Sequence, residues 1–583
     1  MIDTTMHRGR RSVWPGLLGV LLAACSRTDP RPNLLLVTLD TTRADAIGCY
    51  VPRPGLTPNL DLLAREGIVF DRARTVAPLT LPAHASMLTG LVPPRHGARD
   101  NGLVPLPSKA RTAAELLGDE GYATAGFVSA AVLDAAWGIG QGFARFDAPP
   151  PPPPDAVVHM EERQGGATTE RVLAWLAEHD ESRPFFAWVH YFDPHAPYVP
   201  APEFLSRASG DAYLGEVAAV DHEVGRLLDA LRASEELERT LVVVVADHGE
   251  ALGQHGEPTH SVFCYEPVLR VPLVVRRPGG VQAGTRSAAT VSVVDVFPTL
   301  LSAAGIAVPP GLDGVELFGP IDPARSVYFE SYCGWLNYGW SPLFGAARAG
   351  EKFLWSGVEE LFDVAKDPRE KQNLAAARPD ACADWRATIT ELVSGHVVPP
   401  DPNEHVAPGQ RSRVQALGYA GAAEPGTSVP GLFTPTGLPA PLARKEELKA
   451  FYAAAEAEVR GERALAIRGL EDVLAGNPRN HMAGDILGAL LIADGRHAEA
   501  ARVLDALLRS GRERASTHLS LASCRARLGD AGRELAHLER ALELQPRSAH
   551  VLETLERAYT ARGMDAAASE LARRRRAVEG AKP

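Results

Sequence analysis

Between Pro32 and about Gly305, short apolar runs alternate with segments whose apolar residues recur every three or four positions. The continuous runs at 33–39, 122–128, 185–191, 240–246 and 271–276 read as strands buried on both faces. The patterns near 58–66, 109–120, 168–180 and 212–234 read as amphipathic helices between them. Alternation of this kind predicts a mostly parallel sheet with helices on both sides, a three-layer α/β/α domain over 32–310. Six consecutive prolines, Pro149–Pro154, interrupt the pattern and predict an extended surface insertion.

After Pro310 the chain changes to short strand-like runs followed by a helical stretch, which predicts a small α+β subdomain over 311–398. Residues 399–444, rich in Pro, Gly and Ala, read as a linker. Beyond it Gly461, Gly495, Gly529 and Gly563 recur at steps of 34 (495 − 461, 529 − 495 and 563 − 529), and Leu474, Leu508 and Leu542 keep the same step. A 34-residue period filled with Ala and Leu at helical spacing resembles the tetratricopeptide repeat, so 445–580 is expected to form an all-α superhelix. Each repeat would pack mainly on its neighbours, so the array is expected to be separable from the chain before it and to offer a groove to a protein or peptide partner.

Length and charge narrow the choices. At 583 residues the chain exceeds a single core, and 60 basic against 72 acidic residues give a net charge of −12, which argues against nucleic-acid binding. Cys25, Cys49, Cys264, Cys333, Cys382 and Cys524 show no metal spacing and no disulfide framework. Cys25 stands apart because a basic stretch at His7–Arg11, an apolar run at Val13–Leu22 and the small residues Ala23 and Ala24 precede it. This is a signal-peptide layout over 1–25, and its end resembles a bacterial lipobox. The resemblance implies lipidation at Cys25, a membrane anchor, and export to a periplasm-facing position in the cell envelope, most simply on the outer membrane.

The candidate chemistry sits directly after the expected strands. NLLLVTLD ends at Asp40, FFAWVHYFDPH carries Asp193 and His195, and TLVVVVADHGE carries Asp247 and His248. Residues at the carboxyl ends of parallel strands meet in space although far apart in sequence. TVAPLTLPAHASMLTG places Thr80 two residues before Pro82, at the start of an expected helix, where the dipole favours a developing alkoxide. His190 alternates along a strand and reads as a packing residue, and Asp221 lies on an amphipathic helix and reads as helix packing or solvated.

Together DTTRAD at 40–45, TLPAHASMLTG at 80–90, HYFDPHAPY at 190–198, ADHGEALGQHG at 246–256, YEPVLRVPLVV at 265–275 and ELFDVAKDPREKQNL at 360–374 resemble the sulfatase branch of the alkaline-phosphatase superfamily, in order, over roughly 32–395. The resemblance implies a metal-dependent ester hydrolase with Asp40, Thr80, Asp247 and His248 at the catalytic metal, Thr80 as metal-bound nucleophile and His195 near the ester oxygen. It also implies an anionic ester substrate.

Departures from the pattern shape the expectation further. Sulfatases convert a Cys or Ser in C/S-x-P-S-R to formylglycine, whereas this chain has Thr80-Leu81-Pro82-Ala83-His84, and a threonine cannot become that aldehyde. His84 replaces the arginine, and His260 replaces the lysine expected after the DHG motif. These changes resemble the phosphatase and phosphodiesterase side of the superfamily, with a candidate second ion at Asp193, His195 and His260, and with His195 and His260 as catalytic residues that stabilise the leaving-group oxygen directly or through that ion. Carboxylate and imidazole ligands suit Zn, Mn or Fe better than Ca. His84, Asn101 and His255 are candidate pocket residues. Phosphate or phosphonate esters are expected to be preferred over sulfate esters; the alternatives are a conventional sulfatase, a phospho-headgroup transferase, and a catalytically decayed repeat scaffold.

Overall fold

In the computed structural model the described residues are 29–102, 104–150, 163–399, 429–510 and 513–580. The signal-like segment with Cys25, most of the proline run and the first part of the expected linker lie outside them. The strands of the large sheet are β1 (Asn33–Leu39), β2 (Ile68–Arg74), β3 (Ala123–Phe127), β4 (Arg145–Asp147), β5 (Phe185–Tyr191), β6 (Thr240–Ala246), β7 (Leu273–Arg276) and β8 (Thr285–Ser292). They are ordered β4-β3-β5-β1-β6-β7-β2-β8. The five runs read as strands all fall in this sheet. The sheet is mixed because β7 runs antiparallel to both β6 and β2. β2, β4 and β8 escape the sequence pattern: β2 carries Asp71, Arg72 and Arg74, β4 is three residues long, and β8 is exposed at its start.

β1, β5 and β6 are buried along their whole length, as their unbroken apolar runs require of strands covered on both faces. One group of helices comprises Pro58–Glu66, Gly165–Glu178 and Ala212–Ala233, and another comprises Thr80–Thr89, Ala113–Asp119 and Val296–Ala303. In the first group Gly225 allows close approach, since a Cβ there would lie 2.5 Å from the Asn59 side chain. Asp221 is buried at that contact and accepts hydrogen bonds from the backbone N–H of Leu60 at 2.8 Å and Asn59 at 3.3 Å, so it caps the helix beginning at Pro58.

A second, antiparallel sheet follows, ordered β12-β11-β10-β9, from β9 (Val327–Ser331), β10 (Leu343–Arg348), β11 (Glu351–Trp355) and β12 (Glu359–Asp363). The helix Pro379–Leu392 comes after it, and its buried Trp385 donates to Glu351 Oε1 at 2.8 Å.

Residues 429–444 do not behave as a spacer. Phe433 packs edge-on against Phe344 at 5.2 Å, Ser341 N–H donates to the Pro439 carbonyl at 2.9 Å, and Pro441 is buried. From Lys445 onward, helices follow one another to Gly580, each packed against its chain neighbours. The in-phase glycines fall at the turns between them, with φ of 75°, 74°, 74° and 68° at Gly461, Gly495, Gly529 and Gly563. A residue with a Cβ is strained there, which is the physical source of the 34-residue period.

The separability expected of the array is corrected by the packing. One apolar core joins Val262, Phe263, Tyr265, Phe329, Tyr338 and Trp340 to Leu448, Phe451, Ala454 and Leu470. Asn477 Nδ2 donates to the Tyr338 carbonyl at 2.8 Å, and Gly339 (φ 68°) lies so close to Arg479 that a Cβ would come within 2.6 Å. Local repeat periodicity shows how helices stack on one another but carries no trace of the surface their first pairs cover.

Phe451→Ala is therefore expected to destabilise the two-sheet region and the array together, by about 3–5 kcal/mol. Scanning calorimetry should show one transition shifted downward. Two separate transitions, with only one displaced, would restore the independent array.

Candidate active site

The register of the sheet assembles the site. Leu39 pairs with Ala246 across β1 and β6 and with Tyr191 across β1 and β5, so Asp40, Asp247 and His248 leave neighbouring strands side by side. The turn after β1 is forced: Thr41 has φ 49°, and its N–H donates to Asp247 Oδ1 at 3.2 Å. Asp247 Oδ1 also accepts the N–H of His248 at 2.7 Å. Asp40 Oδ1 and Asp247 Oδ2 are buried and make no hydrogen bond with the described residues.

His248 contributes a third lone pair. Its Nδ1 lies 3.0 Å from the Gly249 carbonyl, which only a donor can satisfy, so the unprotonated Nε2 faces the carboxylates, 3.5 Å from Asp247 Oδ2 and 3.9 Å from Asp40 Oδ1. Ligand atoms of Asp40, Asp247 and His248 all lie within 4.8 Å of one another. Orphaned buried oxygens converging with an imidazole lone pair fit a divalent cation, and the N/O donor set suits Zn, Mn or Fe. Burial raises the pKa of Asp40, with Glu250 adding to the effect, and burial and the neighbouring Asp40 raise that of Asp247.

Thr80 opens the helix Thr80–Thr89 and points its hydroxyl into this cluster, 3.5 Å from both Asp40 Oδ2 and His248 Nε2. Two of the expected pocket residues hold its backbone. His84 Nδ1 is 2.8 Å from the Thr80 carbonyl, and Asn101 Oδ1 accepts the N–H of Leu81 at 2.9 Å. Thr38 fixes the His84 tautomer: its hydroxyl accepts from Trp188 Nε1 at 3.0 Å and so gives its own proton to His84 Nε2, also at 3.0 Å. His84 then donates from Nδ1, and that edge also lies 3.7 Å from Asp247 Oδ2.

His190 has a comparable task. Its Nδ1 accepts the N–H of Ser129 at 3.3 Å, leaving Nε2–H to donate to Asp40 Oδ2 at 3.2 Å. Its ligand atoms also group with those of His84 and Asp247 within 4.8 Å, but the hydrogen bonds of both imidazoles assign them to orienting Thr80 and Asp40.

A line of imidazoles extends from the cluster. The ring of His260 lies 4.5 Å from that of His248 and 5.1 Å from that of His195, which stacks on Phe192 at 4.3 Å. His260 Nδ1 is 3.3 Å from Glu250 Oε1, and His195 Nδ1 is 2.7 Å from the Ala196 carbonyl. Burial holds His84, His190, His195, His248 and His260 below the ordinary histidine range, so all five are neutral near pH 7.

Two expectations are corrected. Asp193, His195 and His260 do not form a ligand group among the described residues. The Asp193 carboxylate turns to the start of the helix Gly165–Glu178, where Oδ1 accepts the N–H of Gly165 at 2.9 Å. His255 is drawn away too: its ring stacks on Tyr265 at 3.8 Å and faces Glu370 at 3.9 Å. The sequence reading also passed over Thr38, Ser129 and Glu250. A polar Thr38 inside the apolar run of β1 was the available signal for the first.

Residues 32–306 match the family model described as Sulfatase. The chain is 24% identical over 438 residues to an arylsulfatase of Clostridium perfringens, covering 59% of this chain and 90% of that protein. It is 27% identical to a choline-sulfatase of Rhizobium meliloti, covering 62% of this chain and 86% of that protein. Among solved structures, the phosphonate monoester hydrolase of Agrobacterium radiobacter aligns with a TM-score of 0.53 at 22% identity, over 62% of this chain and 96% of that one. A structure solved with its substrate D-glucosamine-2-N,6-O-disulfate aligns with a TM-score of 0.54 at 22% identity, over 62% of this chain and 98% of that one.

The raised carboxyl pKa values carry a sign. A group whose pKa is higher folded than unfolded contributes stability at low pH that is lost as pH rises through the folded value, so ionising Asp40 and Asp247 weakens the metal-free protein. Asp247→Asn is therefore expected to unfold at a higher temperature than chelator-treated wild type at neutral pH, and to lose the stabilisation that Zn or Mn gives the wild type. Thermal unfolding with and without metal checks both, and an undiminished metal-induced shift in Asp247→Asn would remove Asp247 from the ligand set.

Proposed function

We propose that the sulfatase-type region of this chain is a metal-dependent ester hydrolase that uses the Thr80 hydroxyl as nucleophile and prefers phosphate or phosphonate esters to sulfate esters. The observation that carries this reading is the Thr80 hydroxyl, placed at a helix N-terminus and 3.5 Å from both Asp40 and His248. A divalent cation held by Asp40, Asp247, His248 and the Thr80 oxygen would lower the hydroxyl pKa and draw charge from the ester oxygens.

The chain's own residues supply the rest. His84 and Asn101 hold the backbone on either side of the Thr80 peptide link, fixing the direction of the hydroxyl. The Thr80 hydroxyl releases its proton to solvent, and its oxygen bonds to phosphorus as the bond to the leaving oxygen breaks. His260, neutral and beside the cluster with the Glu250 carboxyl facing its Nδ1, stabilises that departing oxygen by donating a hydrogen bond from Nε2, whereas the Nδ1–H of His195 is taken by the Ala196 carbonyl and its Nε2 offers only a lone pair. Water then attacks the phosphothreonine ester, releasing acid and restoring the Thr80 hydroxyl. A formylglycine hydrate would expel its sulfate without this second attack, but the Thr80 side chain, methylated at Cβ, cannot supply that aldehyde.

A conventional sulfatase remains the second reading, favoured by the names of the curated relatives. The period of the helices from 445 to 580 supports a tetratricopeptide array with a protein or peptide ligand, and the segment ending at Cys25 supports a lipid anchor facing the periplasm.

The test compares kcat/KM for 4-nitrophenyl phosphate, bis-4-nitrophenyl phosphate, a 4-nitrophenyl phenylphosphonate and 4-nitrophenyl sulfate, with mass spectrometry of the Thr80 peptide. Phosphorus esters should lead, Thr80 should be unmodified, and Thr80→Ala should lower kcat by roughly a thousandfold or more. Sulfate leading by a wide margin, or wild-type rates in Thr80→Ala, would return the protein to the sulfatase reading.

A further inference from the structure

The helices after residue 444 reach the active site at two points. The helix Lys445–Val459 lies on the loop that leads from the DHG motif to His260. Lys445 fills the space over Gly256, where a Cβ would stand 2.9 Å from the lysine's own. Two turns further along, the Tyr452 hydroxyl is 3.4 Å from the His260 carbonyl and hydrogen-bonds the Thr259 side chain.

The loop needs such support. Ser261, directly after His260, has φ 101°, a conformation that L side chains rarely adopt and that persists only where neighbours hold it. Its carbonyl accepts from Ser331 Oγ at 2.5 Å, and the next amide, Val262 N–H, donates to the buried Glu257 carboxylate at 2.7 Å. Tyr452 supplies the corresponding grip on the other side of the strained residue.

The second point is Arg514, which is fully buried where the array meets the catalytic region. Its guanidinium pairs with Asp485 at 3.0 Å and donates to the Leu336 carbonyl at 2.8 Å, and its charge partly offsets the burial that raises the Asp100 carboxyl pKa. Asp100 Oδ1 accepts the N–H of Asn101, and Asn101 in turn holds the amide after Thr80. Contacts therefore run from the array to both sides of the reacting centre.

We propose that the C-terminal array is a working part of the active site, in which Tyr452 is a positioning residue that sets the His260 imidazole against the leaving group. The inference rests on the assignment of His260 to the leaving-group side in the function proposed above.

Full-length Tyr452→Phe, His260→Ala and the double variant would be assayed with 4-nitrophenyl and phenyl esters of the preferred class, alongside unfolding temperature and bound metal. Tyr452→Phe should lower kcat for the phenyl ester by about tenfold and for the 4-nitrophenyl ester by less than about threefold, because only the poorer leaving group depends fully on a donor. KM and metal content should be unchanged, and the substitution should have no further effect on the His260→Ala background. Thr259→Val, which removes the phenol's other partner, should show the same leaving-group pattern.

Equal losses for both esters, or a full additional loss on His260→Ala, would overturn the positioning role. If His260→Ala discriminates between the esters and neither Tyr452→Phe nor Thr259→Val does, the inference fails and the proposed function stands. If His260→Ala does not discriminate, the leaving-group assignment falls and takes the inference with it.

Discussion

The register between β1 and β6 brings the buried carboxylates of Asp40 and Asp247 together, with the lone pair of His248 facing both. At an effective dielectric constant near 20, two like charges about 4 Å apart repel by about 4 kcal/mol, a sizeable share of the roughly 5–15 kcal/mol that stabilises a typical domain. The amides of Thr41 and His248 offset part of this at Asp247 Oδ1, and His190 offsets part at Asp40 Oδ2. One oxygen on each carboxylate is left with no hydrogen-bond partner among the described residues. The fold thus holds a charge deficit in place, and a cation is the group that answers it.

Surrounding the deficit with neutral imidazoles is a consistent choice. Protonated histidines would balance the carboxylates themselves and compete with a metal, but burial keeps His84, His190 and His248 uncharged. Their proton positions are set by backbone and hydroxyl partners rather than by the carboxylates. His84 illustrates this: a relay from Trp188 through Thr38 makes its Nδ1 a donor to the carbonyl of the nucleophile's own residue. A longer, permanently charged arginine at this position would place a cation beside the cluster; the histidine leaves the positive charge to the metal.

The sheet and the gathering of Asp40, Asp247 and His248 were legible in the sequence because both follow from local pattern. Unbroken apolar runs mark buried parallel strands, and acidic or imidazole side chains directly after them fall at one edge. β2 and β8 were not legible, since charged side chains at partly exposed positions break the run that would announce them. Asp193 shows a different limit: a carboxylate stands two positions past the end of β5, but which way it turns depends on the amide of Gly165, 28 positions away. The surface covered by the helices after 444 was illegible for the same reason, since a repeat advertises its period and hides what else it touches.

The joint core has a consequence for how the chain is made. Val262, Phe263 and Tyr265 are close-packed with residues as far along as Leu470 and Val473, about two hundred positions later. At synthesis rates of roughly 5–20 residues per second, that side of the catalytic region faces solvent for tens of seconds before its cover exists. Contacts of such long range are slow to close even in the finished chain. A ribosome stalled or a message truncated before the first array helices would release not a smaller enzyme but a sheet domain with an open apolar flank, so the array's codons stand guard over the solubility of everything translated before them.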